Sequence, residues 1–122
     1  MMQPRFIQIE LADEVFIATP LKELAKQPEE SVRSECDGLI CEFESQQAQH
    51  VLLDLSGMDY FGSNILELMV TIWKKVLAQG GRFALCGVSQ VGLEILQTTR
   101  FDTLWTIYGS REDALRELLS KA

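Results

Sequence analysis

Val51-Leu52-Leu53-Asp54-Leu55-Ser56-Gly57-Met58-Asp59-Tyr60-Phe61-Gly62-Ser63-Asn64-Ile65-Leu66 is the stretch that decides the fold. Val51 to Leu55 is a nearly unbroken apolar run closed by an aspartate, as expected of a strand covered on both faces. A short polar turn follows, and a helix is expected to start at Ser63 or Asn64. Asn64-Ile65-Leu66-Glu67 fits a capping box, with Ser63 as the alternative cap. From there Ile65, Leu66, Leu68, Met69, Ile72, Trp73, Val76 and Leu77 recur at helical spacing, the strongest such pattern in the chain. A strand that delivers a loop onto a helix N-terminus gathers backbone N–H groups and polar side chains in one place, so function is sought there.

Working outward, Gly80-Gly81 stops that helix, and Arg82 to Cys86 is a second short buried strand. Gly87 turns the chain out of it. Ser89 can cap a helix running to about Thr98, with Val91, Ile95 and Leu96 as its core face. Leu104 to Tyr108 is a last short strand, and Ser110-Arg111-Glu112-Asp113 opens a C-terminal helix that carries Ala114, Leu115, Leu118 and Leu119. Upstream, Phe6 to Leu11 and Val15 to Ala18 make a hairpin around Asp13-Glu14, and Pro20 ends its second strand. Leu21 to Gln27 is open between a helical turn and a loop. Pro28 suits the first position of the next helix, followed by Glu29-Glu30, with Val32, Cys36, Leu39, Ile40 and Phe43 as its buried stripe. The order β-β-α-β-α-β-α-β-α requires crossovers from His50 onward. The expectation is one α/β domain spanning residues 1–122, with a mixed, largely parallel sheet, an N-terminal hairpin and about four helices.

Composition narrows the function classes. The chain has 122 residues, 47% apolar and 24% charged, enough for one core. Its net charge of −7 disfavours phosphate backbones and anionic lipid heads, so direct nucleic-acid binding is not expected. Residues 1–50 are the acidic half, with ten Asp and Glu against four Lys and Arg. A basic protein partner would suit an acidic domain better than a polyanion, but an acidic helix is more simply read as a solvated face. Ile65 to Val76 is interrupted by Glu67, Lys74 and Lys75, so no membrane span is expected. No cationic leader precedes an apolar run at the start, and the expected location is cytoplasmic.

Catalytic signatures are missing: there is no Walker A sequence, no GxGxxG, no GxSxG and no HExxH. Cys36, Cys41 and Cys86 have no paired spacing and are expected as buried, reduced thiols. His50, the single histidine, sits at a strand edge. Asp54, Asp59 and Asp102 are candidate carboxylates that sequence cannot bring together, and Trp73 and Trp105 fall on core patterns. Neither a cofactor nor a metal site is expected, and the chain is not expected to be an enzyme.

Asp54-Leu55-Ser56, with Met58, Tyr60-Phe61 and Gly62-Ser63-Asn64-Ile65-Leu66, resembles the STAS domain of anti-sigma factor antagonists, whose pattern is approximately D-L-S-x-V-x-F-M-D-S-S-G-L. The resemblance continues through Gln79 to Ser89 and Phe101 to Ile107. It covers Val51 to Leu119 well and is weak before, where the second strand lacks the usual G-x-L-D. It implies a non-catalytic regulatory module that docks on an anti-sigma factor of the serine-kinase type. Phosphorylation of the motif's second serine would break that complex. Related domains serve in stressosome scaffolds or in lipid-transport ABC complexes, and these are the alternative; an oligomer is also open. The implied partner-binding residues are Asp54, Ser56, Tyr60, Phe61, Gly62, Ser63 and Asn64. Aligned from Asp54 without a gap, Gly62 replaces the motif aspartate, Ile65 replaces its glycine, and Asn64 takes the phosphoacceptor position. Asparagine has no hydroxyl to phosphorylate, so the usual switch is expected to be absent, with Ser63 as the substitute acceptor if one exists.

Overall fold

The structure is a computed structural model and describes residues 4–119. Two strands, β1 (Ile7–Ala12) and β2 (Val15–Pro20), form the antiparallel hairpin, turned at Asp13 with a positive φ of 53°. Helix α1 (Glu29–Ser45) then leads to β3 (His50–Asp54), α2 (Ser63–Ala78), β4 (Phe83–Cys86), α3 (Gln90–Thr98), β5 (Thr106–Tyr108) and α4 (Arg111–Leu119). The strands lie in sequence order across one sheet, and every pair after the hairpin is parallel. The expected α/β order is therefore the observed one.

The apolar run of β3 is explained by what covers each face. Val51 and Leu53 point with Phe16, Ala18, Phe83 and Leu85 into the larger core beneath α1, α2 and α3. Leu52 points the other way, with Val15, Ile17, Ala84 and Cys86, onto Ala114 and Leu118 of α4. Side chains alternate across a strand, so a strand roofed on both faces must be apolar at every position. A fully buried Leu, Ile or Phe contributes roughly 1.5–3 kcal/mol by leaving water. Phe101, Trp105, Phe83 and Trp73 close one end, with Phe101 stacked on Trp105 at 4.6 Å and the other two rings edge-on to it.

Several boundaries differ from the sequence expectation, each for a local reason. Leu21–Gln27 resolves as a 3-10 turn over Lys22–Lys26, anchored by fully buried Leu24. Pro28 is the cap of α1 rather than its first helical residue, with an extended ψ of 159°. The last strand is only three residues long because a 3-10 turn at Phe101–Thr103 takes up the chain before it, leaving Leu104 exposed. Leu77 and Val91 match the helical spacing of their neighbours, yet both are about half exposed at 51% and 47%. Each lies off the face its helix presents to the sheet: α2 buries Ile72 and Val76, and α3 buries Gly92 and Leu96. Cys36 and Cys86 are buried free thiols, as expected, but Cys41 is exposed on α1. Burial, with Asp37 beside it, pushes the Cys36 thiol up to about 11, and burial with the nearby Asp54 carboxylate pushes Cys86 to about 12.

Glu35 shows how a charge is tolerated in the core face of α1. It is buried, and its carboxylate accepts from the N–H groups of Arg5 and Phe6 at 2.7–2.9 Å, closing the open start of β1. His50 has a comparable structural role. Its Nδ1 accepts from the Arg82 N–H at 3.0 Å, and burial together with the Arg82 charge holds its pKa below the ordinary value despite Glu14.

Candidate functional site

β3 and β4 end side by side, so the loops that follow them share one edge of the sheet. Leu55 N–H donates to the Cys86 carbonyl at 2.9 Å, extending the parallel pairing one residue past Asp54. The β3–α2 loop is then pinned from inside by Leu55, Met58 and Phe61, all buried to within 2%. Between these anchors Ser56, Gly57, Asp59 and Tyr60 face solvent. The three-residue spacing of the anchors gives a rigid loop with a polar outer surface, without regular backbone pairing.

Two glycines let the loops come this close. Gly87 has φ of +68°, and a Cβ there would sit 2.7 Å from the Asp54 carboxylate and 2.9 Å from the Ser56 nitrogen. Both the left-handed backbone and the contact require glycine. A Cβ on Gly92 would stand 3.0 Å from the Phe61 ring, so α3 packs directly over the loop. Ser89 joins the two loops: its hydroxyl donates to the Asp59 carbonyl at 2.6 Å and accepts from the Gly92 N–H at 2.9 Å, capping α3.

Asp54 is the electrostatic centre of this corner. One carboxylate oxygen accepts from the Ser56 N–H at 3.0 Å, and the other from Arg111 Nε at 3.1 Å and Nη2 at 3.0 Å. Arg111, the first residue of α4, also reaches Glu10 on β1 at 3.0–3.1 Å and Thr19 on β2 at 3.2 Å. One guanidinium thus ties three strands and, through Asp54, the loop to α4. Burial alone would raise the Asp54 pKa. The Ser56 bonds and the Arg111 charge outweigh it, and the carboxyl titrates below its ordinary value. The sequence places Arg111 only in the opening of the C-terminal helix and assigns neither it nor Glu10 and Thr19 to the site. No local pattern marks them, because the contacts bridge 57 to 101 residues of chain.

At the helix start the structure corrects the capping expectation. Gly62 is the N-cap of α2, extended at φ −103° and ψ −162°, and no side chain caps the helix. The helix begins too early for the Asn64–Glu67 box: Ser63 and Asn64 both lie within the first turn, where neither can cap. The first turn carries no carboxylate, so the positive end of the α2 dipole is left to the surface.

The predicted residues therefore separate. Tyr60, exposed at 66%, and Ser63 lie on the surface, with Ser56 on the outer side of the loop. Gly62 and Asn64 are half-buried, and Asn64 lines a groove of about 240 Å³ between α1 and α2. Asp54 is buried in its ion pair, and Phe61 belongs to the core at 1% exposure. The packing of Phe61 under α3 takes it out of a partner's reach, a correction to its expected place at the contact centre. Asp59 and Asp102 are exposed, whereas Asp54 is engaged by Arg111. Among the described residues no group of three His, Cys, Asp or Glu could hold a metal ion.

Parallel strand ends carrying an outward-facing loop on buried anchors, beside a helix start with no side-chain cap, characterise this α/β domain. The chain belongs to the STAS domain family, whose profile matches residues 7–114. An anti-sigma F factor antagonist of Paenibacillus polymyxa is 26% identical over 114 residues, covering 92% of this chain and 95% of that protein. An anti-sigma-factor antagonist (STAS) domain protein from Planctomyces limnophilus is 32% identical, with a TM-score of 0.80 over 93% of this chain and 98% of that one. A Thermotoga maritima protein is 26% identical, with a TM-score of 0.84 over 95% and 97%. The chain is an anti-sigma factor antagonist-like STAS domain, and among the described residues no helix is long and apolar enough to cross a membrane.

Proposed function

We propose that this domain is a non-catalytic, cytoplasmic antagonist that docks on an anti-sigma factor of the serine-kinase type, and that it does so without the usual serine phospho-switch. The observation that carries the reading is the α2 start. Tyr60 is exposed on a loop held by buried anchors, and Ser63 and half-buried Asn64 follow it in the first turn of α2; aligned without a gap from Asp54, the motif's second serine falls on Asn64. An amide accepts and donates hydrogen bonds but takes no phosphate. A rigid, preformed loop also limits the ordering entropy lost on association. Asp54 and Gly62 act in this scheme by shaping the loop and the helix start, and Ser56 adds a polar outer contact.

The test is calorimetric binding to a purified anti-sigma factor kinase domain. Tyr60→Ala is expected to weaken the complex by about 1–2 kcal/mol, as for a peripheral aromatic anchor. Asn64→Asp is expected to weaken it further by placing a charge where the partner meets an amide. Full affinity in both variants would move the docking face elsewhere on the domain.

A further inference from the structure

The exposed side of α2 has a shape that the docking loop does not account for. Ser63, Glu67 and Thr71 follow one another at four-residue spacing, and all three are exposed. They form a single ridge with an open groove on each side. Glu67 and Thr71 line both grooves, so the ridge is the wall between them. An i, i+4 ridge flanked by two empty grooves is the surface one helix offers to another: each helix seats its ridges in the other's grooves.

The two grooves differ in chemistry. The groove toward α1, about 240 Å³, has an apolar floor of Val32, Cys36 and Leu68, and its rim carries Asp37 and Glu67. Glu29 at its end is neutralised by Arg33 at 3.0 Å, whereas neither Asp37 nor Glu67 is in an ion pair among the described residues. Helix α1 itself holds Glu29, Glu30, Glu35, Asp37, Glu42 and Glu44 against Arg33 as its only cation. The groove on the other side, about 380 Å³, is floored by half-buried Leu66, Val70 and Phe101. One side is acidic and the other apolar.

We infer that this face seats an amphipathic helix of the partner protein, with Lys or Arg along the flank above Asp37 and Glu67 and aliphatic side chains along the flank above Leu66, Val70 and Phe101. The inference rests on the reading of the α2 start as the docking corner and extends it by naming the element received. Charge complementarity fixes the orientation, since reversing the helix's flanks would set its Lys and Arg over the apolar floor of Leu66, Val70 and Phe101 and its aliphatic side chains against Asp37 and Glu67. Asn64 lies in the acidic groove beside Glu67, so the helix would cover the switch position itself.

The probe is a designed amphipathic helical peptide of about five turns, with leucines on one flank and arginines on the next. Its twin has glutamate in place of each arginine. Amide NMR of the full chain during titration should move the signals of Asp37, Glu67, Leu66, Val70 and Phe101. The arginine peptide should bind at least about fivefold tighter than its twin, and Glu67→Lys should remove that advantage. Equal affinity of the two peptides, shifts confined to another face, or no shifts with either would overturn the helix seat. No anti-sigma factor is used, so failure here is separate from failure of the kinase-domain binding test.

Discussion

Replacing Arg111 with alanine should reveal how strongly the C-terminal helix holds the docking loop. The guanidinium makes two contacts with Asp54, at 3.0 and 3.1 Å, and the aspartate side chain is only 9% exposed. Removing it leaves a carboxylate with the Ser56 bonds alone and little water. Breaking a fully buried pair costs roughly 3–5 kcal/mol. Arg111 is one-third exposed, at 33%, so solvent screens its share, and a loss of about 2–3 kcal/mol is expected at pH 7. For a chain of this size that is a fall in Tm of roughly 8–12 °C. The pH dependence gives the sharper check. Asp54 has a folded pKa below its unfolded value, so its stabilisation is complete above the unfolded pKa and is lost as pH falls through the folded one. The gap between wild type and Arg111→Ala in urea denaturation should therefore narrow as pH is taken from 7 toward 3. A cost under about 0.5 kcal/mol, the level of an ordinary surface substitution, or one that does not change with pH, would refute the clamp.

Other outcomes follow from the same geometry. Gly87→Ala must adopt a positive φ and push on Asp54, so it should cost at least about 1–3 kcal/mol and shift the amide signals of Ser56 and Gly57; an unshifted spectrum counts against the close approach. Ser89→Ala loses the α3 cap and should destabilise by about 1 kcal/mol, read by chemical denaturation. Iodoacetamide at pH 8 should label native protein at Cys41 alone, because burial keeps Cys36 and Cys86 as thiols, and labelling of all three should need denaturant. His50 should titrate by NMR below its ordinary value, and its stabilisation should fade as pH falls below that value, since protonation removes the acceptor for the Arg82 N–H.

What the sequence disclosed was whatever is encoded locally. The double-sided cover of β3 is visible in Val51 to Leu53 because alternation leaves no other explanation for the run. The Ser89 cap is visible because the N–H that donates to its hydroxyl lies three residues on, at Gly92. The α2 cap was misplaced for the opposite reason: Asn64 and Glu67 have box spacing, but buried Phe61 fixes the approach so that the helix opens after Gly62. Tyr60 and Phe61 also looked equivalent as a pair. The three-residue interval of Leu55, Met58 and Phe61 is the signal that separates the anchor from the exposed ring. Nothing in the neighbourhood of Arg111 points to Asp54 or Glu10, because that network exists only once the sheet has brought distant segments together.

The loss of the phospho-switch at Asn64 is open to direct measurement. The domain is incubated with an anti-sigma factor kinase and ATP, and intact-mass spectrometry is combined with affinity before and after turnover, in wild type and in Asn64→Ser. Wild type is expected to gain no phosphate and keep its affinity, while Asn64→Ser is phosphorylated and released. Stoichiometric phosphate on Ser63 of the wild type, with loss of the complex, would contradict this expectation.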